Sequence, residues 1–229
     1  MARTVLMSGA TGALGPHLLA ELLRSPEIDR VFVVIRPGPE GIQDRARSVE
    51  AAVSRIARER NASSTGTVRF VAGDISRHDL GLNRRDADVL VHETDTIVHA
   101  AASTSFSAPI DCLRAANVGG THNAVQFARQ CRSLTQFLLV STVCVAGTRT
   151  GSIAECLDEE RPQFVNAYEE SKWESERLTA ASDLPLRIGR LSICLGGEAT
   201  GYVHRFGAVH HALHWLMRGL IPMIPGAPE

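Results

Sequence analysis

Short, nearly continuous apolar runs recur along the chain and alternate with longer amphipathic stretches. Each run has the length of one buried strand and is rich in Val, Ile, Leu and Phe. Runs without polar alternation are typical of a parallel sheet that is covered on both faces. We therefore predict six strands, over residues 4–7, 31–35, 68–71, 96–100, 137–140 and 186–193.

The stretches between these runs show helical spacing. Residues 16–24 place their leucines on one stripe, and residues 42–60 carry a second apolar stripe opposite Arg and Glu. Alternating strands and helices predict a doubly wound α/β (Rossmann) fold, whose ligand lies at the carboxyl ends of the strands. We assign the NAD(P)-binding domain to residues 1–194 and part of a substrate-binding region to residues 195–229.

Composition and charge argue against two classes of partner. The net charge of the 229 residues is −1 and the basic residues are scattered, so we expect no nucleic-acid binding. No apolar run approaches the ~20 residues that span a bilayer, and residues 4–7 are too short for a signal peptide. The five cysteines show no CxxC spacing, as expected for reduced thiols of a cytoplasmic protein.

The glycine-rich segment SGATGALG, residues 8–15, directly follows the first predicted strand and opens the first predicted helix. Glycines let the backbone turn tightly and approach a pyrophosphate, and the helix N-terminus offers free N–H groups to the anion. The position between strand and helix favours a dinucleotide-binding turn over a purely structural one. The predicted cofactor contacts in this turn are Gly9, Thr11, Gly12, Ala13, Leu14 and Gly15.

Two strand ends bear on the identity of the cofactor. Arg36 follows the second strand, where an acidic residue would bind the ribose of NAD and an arginine suits the 2′-phosphate of NADP. Arg45 is a second candidate partner of that phosphate, and a solvated arginine is the alternative interpretation of Arg36. Asp74 follows the third strand, where it either accepts from the adenine amino group or caps the next turn. The adjacent Ile75 is included among the predicted cofactor contacts.

The segment YEESK contains Lys172, the chain's single lysine, four residues after Tyr168, one of its two tyrosines. Residues i and i+4 share a helix face, so we expect the ammonium to favour the ionised phenol and make Tyr168 a proton donor. The ammonium can also bind ribose hydroxyls. The alternative is a solvated helix face. Ser141 and Thr142 end the fifth strand, where a hydroxyl can orient a substrate carbonyl.

Together these motifs resemble the extended branch of the short-chain dehydrogenase/reductase superfamily over residues 4–201. The glycine spacing resembles that branch's TGxxGxxG, with Ser8 in place of the threonine. IVHAAA resembles the strand end that lines the nicotinamide, which implies contacts from Ala100, Ala101 and Ala102. NVGGTHN resembles the branch's NxxGTxN helix, in which Asn117 would hold a water in a proton relay.

The same resemblance implies that Thr142, rather than Ser141, is the active hydroxyl and that Tyr168 and Lys172 are the YxxxK pair. Within the branch, the chain resembles NADPH-dependent thioester reductases, namely reductase domains of carboxylic acid reductases and peptide synthetases, and fatty acyl-CoA reductases. Arg36, the insertion 38–66, STVCVAGTRTG and FVNAYEESKWESERL carry this likeness. It implies hydride transfer from NADPH to an acyl thioester, as acyl-CoA or on a carrier protein, to give an aldehyde or alcohol.

Two departures and two alternatives accompany the resemblance. The family's Arg-Pro after the sixth strand is Arg190-Leu191 here. The resemblance still implies that the backbone of Leu191 contacts the nicotinamide. Family members continue for about a hundred further residues, so residues 195–229 are expected to form part of a substrate lobe. Arg36 argues against an NAD-dependent sugar-nucleotide epimerase or dehydratase, and the intact catalytic residues argue against a non-catalytic NADP-binding protein.

His210 and His214 have an i,i+4 spacing that can hold a metal, but no carboxylate or cysteine lies near them in sequence. We therefore expect a polar helix face there and no metal.

Overall fold

The computed structural model describes residues 3–157, 160–198 and 200–220. It contains a six-stranded parallel sheet in the order β3-β2-β1-β4-β5-β6, which confirms the predicted doubly wound α/β fold. The strands are β1 Arg3–Ser8, β2 Ile28–Ile35, β3 Thr67–Ala72, β4 Thr96–His99, β5 Gln136–Thr142 and β6 Leu186–Leu191. The predicted runs overlap all six strands, but the run 186–193 extends two residues beyond β6, which has no buried residue. β2 begins three residues before its run because its polar start pairs through the backbone, which needs no apolar side chain.

Seven α-helices occur in the described ranges, and their amphipathic faces cover the sheet. They are α1 Gly15–Arg24, α2 Gln43–Glu59, α3 Arg84–Glu93, α4 Ile110–Leu113, α5 Gly119–Gln130, α6 Ala167–Ala180 and α7 Ala208–Met217. A π-helical turn, Arg114–Val118, joins α4 to α5. None of the helices described has the length and apolar character that crossing a bilayer requires.

Two apolar cores lie on the two faces of the sheet. The face of Val5 and Met7 packs against α1 and α2, and the face of Leu6 packs against α3 and α5. Adjacent residues of β1 therefore point into different cores, which explains why the strand sequences are continuously apolar. Because all six strands are parallel, the segments that follow β1 to β5 meet at one edge of the sheet. Every predicted site residue lies near that edge.

The histidine-containing helix α7 has no buried residue. His210 Nε2 lies 2.7 Å from the carbonyl oxygen of Leu195, and His214 is exposed. Among the residues described, no group of three or more His, Cys, Asp and Glu side chains is placed to hold a metal ion.

Candidate active site

The glycine-rich turn is packed against the end of β4. Gly9 has φ +86°, and a Cβ there would lie 2.5 Å from the carbonyl carbon of Ala100. A Cβ on Gly15 would lie 2.4 Å from the carbonyl oxygen of Gly9, whereas a Cβ on Gly12 would meet only that oxygen, at 3.4 Å. The Gly12 N–H donates to the same oxygen across 3.1 Å. The turn is thus tightly closed at Gly9 and Gly15 and more open at Gly12, where a ligand can approach.

The start of α1 and the side chain of Ser8 complete this part of the site. No side chain caps the N-terminus of α1. Pro16 has no N–H and the His17 N–H donates to the Leu14 carbonyl oxygen across 3.1 Å, so the N–H of Gly15 is the first-turn donor that remains available to an anion. The Ser8 hydroxyl lies 2.9 Å from His99 Nδ1 and accepts from the Ala101 N–H across 3.3 Å. Ser8 therefore fixes the chain after β4, where Ala100, Ala101 and Ala102 were predicted to contact the cofactor. These features fit a pyrophosphate.

Gly9→Ala should destabilise the fold because the new methyl group meets backbone atoms that cannot rotate away. Gly151 has the same φ, +86°, and nothing within 4 Å of its Cβ position, so Gly151→Ala measures the cost of the backbone conformation alone. We expect a loss of about 1 kcal/mol for Gly151→Ala and at least about 3 kcal/mol for Gly9→Ala. Urea unfolding of the two variants measures the difference, and equal losses would contradict the packing described.

Arg36 and Asp74 lie at the ends of the neighbouring strands β2 and β3, and their charges interact. Burial tends to raise the pKa of Asp74, but hydrogen bonds from Ser76 and the charges of Arg36 and Arg77 hold that pKa below its usual value. Arg45 Nη1 donates to the Arg36 carbonyl oxygen across 2.9 Å, so Arg45 contacts the backbone beside Arg36. The structure therefore brings the three residues together at the predicted adenosine end.

Asp74 caps a turn in this structure. Its Oδ1 accepts from the Ser76 N–H across 3.0 Å and from the Ser76 hydroxyl across 2.8 Å. Of the two alternatives for Asp74, the capping role is the one observed, and the adenine contact stays a prediction. The neighbouring Ile75 is held by its carbonyl oxygen, which accepts from Asn123 Nδ2 across 2.8 Å.

Helix α6 carries Tyr168 and Lys172 against the end of β5. Asn166 caps this helix, and its Oδ1 accepts from the Glu169 N–H across 3.1 Å. The side chain of Lys172 is buried, with the residue 4 % exposed, and Nζ donates to the Val140 carbonyl oxygen across 2.9 Å. The Tyr168 ring meets Phe106 edge-on at 5.4 Å between ring centroids. The solvated-face alternative is therefore wrong for Lys172.

The pKa values of this pair depart from the sequence prediction. Burial raises the pKa of Tyr168 to about 12, with a further contribution from Cys144. The expected lowering of this pKa by the lysine is wrong here, because burial of the phenol dominates and Lys172 Nζ is bonded to Val140. Burial lowers the pKa of Lys172 to about 8, and Glu176 opposes that effect. The phenol consequently keeps its proton throughout the neutral range, which is the form that donates.

The hydroxyl of Thr142 lies where β5 ends. Its Oγ1 accepts from the Cys144 N–H across 3.2 Å, which leaves the hydroxyl proton free to be donated. The charge of Cys144 also contributes to the raised pKa of Tyr168. Leu191 is paired with Thr142 in the β5–β6 register. The Oγ of Ser141 is buried and has no hydrogen-bond partner among the residues described.

Asn117 lies in the π-helical turn, and such turns are common at functional sites. Its side chain connects the segment after β4 to α6. The residue is 1 % exposed. Its Oδ1 accepts from the Ser103 N–H across 2.7 Å, and its Nδ2 donates to the Ser103 carbonyl oxygen and to Ser171 Oγ, across 3.0 and 2.9 Å. Both amide hydrogens are thus donated to protein oxygens. Asn117 therefore links the chain after β4 to α6 through hydrogen bonds. Its role in a water relay stays a prediction.

Sequence reasoning missed several neighbours of these residues. Phe106 and Cys144 lie beside Tyr168 through tertiary contacts alone, and no local pattern indicates them. Glu176 was detectable, since it follows Lys172 by four residues and so shares its helix face. Arg190 on β6, which forms an ion pair with Glu176, was not predicted as a partner. The sequence analysis considered it only because Leu191 follows it.

Comparison with known proteins agrees with this geometry. A family described as male sterility protein, an NAD-binding family, matches residues 7–229. The isonitrile lipopeptide synthase of Streptomyces coeruleorubidus is 34 % identical over 210 residues, which cover 87 % of this chain and 14 % of that protein. The chloroplastic fatty acyl-CoA reductase 2 of Arabidopsis thaliana is 30 % identical over 168 residues, covering 66 % of this chain and 26 % of that protein.

A solved structure shares both fold and sequence with the chain. The terminal R domain from the myxalamid PKS-NRPS biosynthetic pathway superposes with a TM-score of 0.70 at 31 % identity. The match covers 85 % of this chain and 50 % of that domain, so the chain spans about half of it. The parallel sheet, the glycine-rich turn and these similarities lead to one conclusion. The chain belongs to the male sterility protein family of NAD(P)-binding reductase domains, within the extended short-chain dehydrogenase/reductase superfamily.

Proposed function

We propose that the chain takes part in the NADPH-dependent reduction of an acyl thioester, as acyl-CoA or on a carrier protein, to an aldehyde or alcohol. The observation that carries this proposal is the arrangement of Thr142 at the end of β5 and Tyr168 on α6, two strands along the sheet from β1 and the glycine-rich turn that follows it. The names of two similar proteins, a fatty acyl-CoA reductase and the terminal R domain of a PKS-NRPS pathway, support the thioester as substrate.

The chain's own residues have distinct roles in this reaction. The glycine-rich turn and the N-terminus of α1 bind the pyrophosphate, and Lys172 binds the ribose hydroxyls. Bound NADPH supplies the hydride to the carbonyl carbon. Thr142 donates a hydrogen bond to the carbonyl oxygen, and Tyr168 gives that oxygen its proton as negative charge develops. The resulting hemithioacetal loses its thiol to give the aldehyde.

The two predicted regions fit the same proposal. Residues 1–194 form the dinucleotide-binding domain, and residues 195–229 contribute to the substrate side. In the described part of that second region, α7 is exposed and carries apolar side chains such as Leu213, Trp215 and Met217. Such a surface suits contact with further protein or with an acyl chain.

The proposal is tested by incubating the full chain with NADPH and a panel of acyl-CoA thioesters and aldehydes. We expect NADPH consumption that depends on the thioester, with release of free thiol. Consumption with aldehydes only would indicate a carbonyl reductase without thioester activity. No consumption with any member of the panel would contradict the proposal.

Arg36→Ala should change the choice of cofactor. In this proposal the guanidinium pairs with the 2′-phosphate, and a charge-assisted hydrogen bond contributes about 1.5–3 kcal/mol, so NADPH affinity should fall about 10- to 100-fold. NADH lacks that phosphate, and its affinity should be unchanged. Arg58→Ala near the far end of α2 is the control. Equally tight binding of NADH and NADPH by the unmodified chain would instead favour the NAD-dependent epimerase or dehydratase alternative.

A further inference from the structure

The exposed apolar side chains are confined to the segments that follow three of the six strands. In the described part of the chain, every large apolar residue that is exposed comes after β4, β5 or β6, and none lies in the elements from β1 to α3. Exposed apolar side chains that are concentrated in this way mark a surface that binds an apolar ligand or another protein. The half of the sheet that carries Thr142 and Tyr168 therefore differs from the half predicted to bind the adenosine of the cofactor.

Two of these residues border the candidate reacting groups. The Phe106 ring meets the Tyr168 ring edge-on, with 5.4 Å between the ring centroids, yet 53 % of Phe106 is exposed. Val143 directly follows Thr142 and is 46 % exposed. Because β4 and β5 are neighbours in the sheet, the segments that carry Phe106 and Val143 leave the sheet side by side. A carbonyl held by Thr142 and Tyr168 would therefore have apolar surface beside it.

The segment that carries Phe106 is anchored at both ends. Three residues before Phe106, the Ser103 N–H donates to Asn117 Oδ1 across 2.7 Å, and the Ser103 carbonyl oxygen accepts from Asn117 Nδ2 across 3.0 Å. Three residues after Phe106, Pro109 begins α4 as its N-cap residue. The chain thus holds the half-exposed ring beside Tyr168 on a short, tethered segment.

The two segments that follow β4 and β5 also carry no charge next to the site. Neither residues 100–110 nor residues 141–148 contain Asp, Glu, His, Lys or Arg. A charged substrate group placed there would lose hydration without gaining an opposite charge. Methylene groups gain from leaving water, by about fourfold in affinity for each one buried. The surface therefore favours an uncharged hydrocarbon group.

We propose that Phe106, with Val143 beside it, is the contact for the acyl chain of the substrate and gives the site a preference for hydrocarbon acyl groups over very short or charged ones. The inference rests on the proposed function, since it concerns the acyl arm of the thioester on which Thr142 and Tyr168 act. The thiol arm of an acyl-CoA carries amide and phosphate groups, so it matches this surface less well than a hydrocarbon chain does.

Binding of acyl-CoA thioesters to the full chain in the presence of NADP⁺ tests the contact without turnover, because the oxidised cofactor has no hydride to give. Acetyl-, hexanoyl- and adipoyl-CoA share one thiol arm, and adipoyl-CoA has a carboxylate in place of the terminal methyl group of hexanoyl-CoA. We expect hexanoyl-CoA to bind about 10- to 100-fold more tightly than acetyl-CoA in titration calorimetry. Adipoyl-CoA should bind more weakly than hexanoyl-CoA, because its carboxylate meets no cation there.

Matched variants assign this preference to Phe106. Phe106→Ala should lower the affinity for hexanoyl-CoA about 10-fold and that for acetyl-CoA by less than about threefold. Phe106→Leu keeps an apolar side chain and should retain most of the preference. Both variants should fold, since more than half of Phe106 is exposed. Phe164→Ala is the control, because its ring packs on Trp173 at 6.0 Å between centroids, on another face of α6, and all three affinities should be unchanged.

The outcomes separate this inference from the proposed function. Loss of the hexanoyl preference in Phe106→Ala, with Phe164→Ala unchanged, supports the inference. Three equal affinities in the unmodified chain, no binding of any thioester, or a preference that survives Phe106→Ala overturns it. An equal loss for acetyl- and hexanoyl-CoA also overturns it and would place the thiol arm at Phe106. If the preference depends on Phe106 but NADPH reduces no thioester, the acyl contact stands and the proposed function falls.

Discussion

Tyr168→Phe should lower the rate of NADPH-dependent thioester reduction by about 10²–10⁴-fold, the usual contribution of a positioned proton donor. Phenylalanine keeps the ring and its edge-on contact with Phe106, so only the donated proton is lost. NADPH affinity should change little, because Lys172 and the glycine-rich turn are untouched. Steady-state rates and NADPH titrations on the purified variant measure both effects.

Tyr202→Phe is the matched control, since Tyr202 is the chain's other tyrosine. Its hydroxyl lies 3.4 Å from His204 Nδ1, and Arg55 lies over its ring at 4.0 Å, so it belongs to a different cluster of side chains. The same hydroxyl deletion there should leave the reduction rate within a few-fold of the original. A Tyr168→Phe variant that turns over at the original rate would rule out the assigned proton donor.

Lys172→Met should lower kcat/KM for the reduction at pH 7 by about 10²–10³-fold, through weaker NADPH binding and loss of the positive charge beside the reacting carbonyl. Methionine has a similar length and is tolerated in buried positions, so the fold should persist. The pH profile gives a second readout. Lys172 is charged below its pKa of about 8, so activity of the unmodified chain should be full below that pH and fall as pH rises through it.

Arg85→Met is the control for Lys172→Met, because it removes a positive charge from an exposed position on α3. It should change neither the rate nor the pH profile. The residual activity of Lys172→Met should show no loss near pH 8. A fall near pH 8 that persists in this variant would mean that another group causes it.

The fold was predictable because its determinants are local in sequence. Strands β1, β2, β4 and β5 coincide with apolar runs that contain several buried residues, and the covered parallel sheet follows from the absence of polar alternation in those runs. The glycine-rich turn was recognisable for the same reason, since Gly9 and Gly15 stand where a backbone without side chains is required. The spacing of four residues in the segment YEESK likewise indicated a shared helix face for Tyr168 and Lys172.

The electrostatics of the site were not predictable, because they depend on burial and on partners distant in sequence. The spacing of Tyr168 and Lys172 suggested that the ammonium would lower the phenol pKa, but burial raises it. The water relay at Asn117 stays a prediction, but the link that its amide hydrogens make between Ser103 and Ser171 could not be predicted from the sequence. The partner of Glu176 lies on β6, and no spacing rule connects the two.

We propose that a hydride passes from NADPH to the carbonyl carbon of an acyl thioester at Tyr168 and Thr142. The most direct measurement uses NADPH deuterated at the transferable position of the nicotinamide, with mass spectrometry of the aldehyde or alcohol formed from an acyl-CoA. We expect deuterium at the former thioester carbon and release of one thiol per acyl group reduced. NADPH oxidation that leaves no deuterium on that carbon would contradict it.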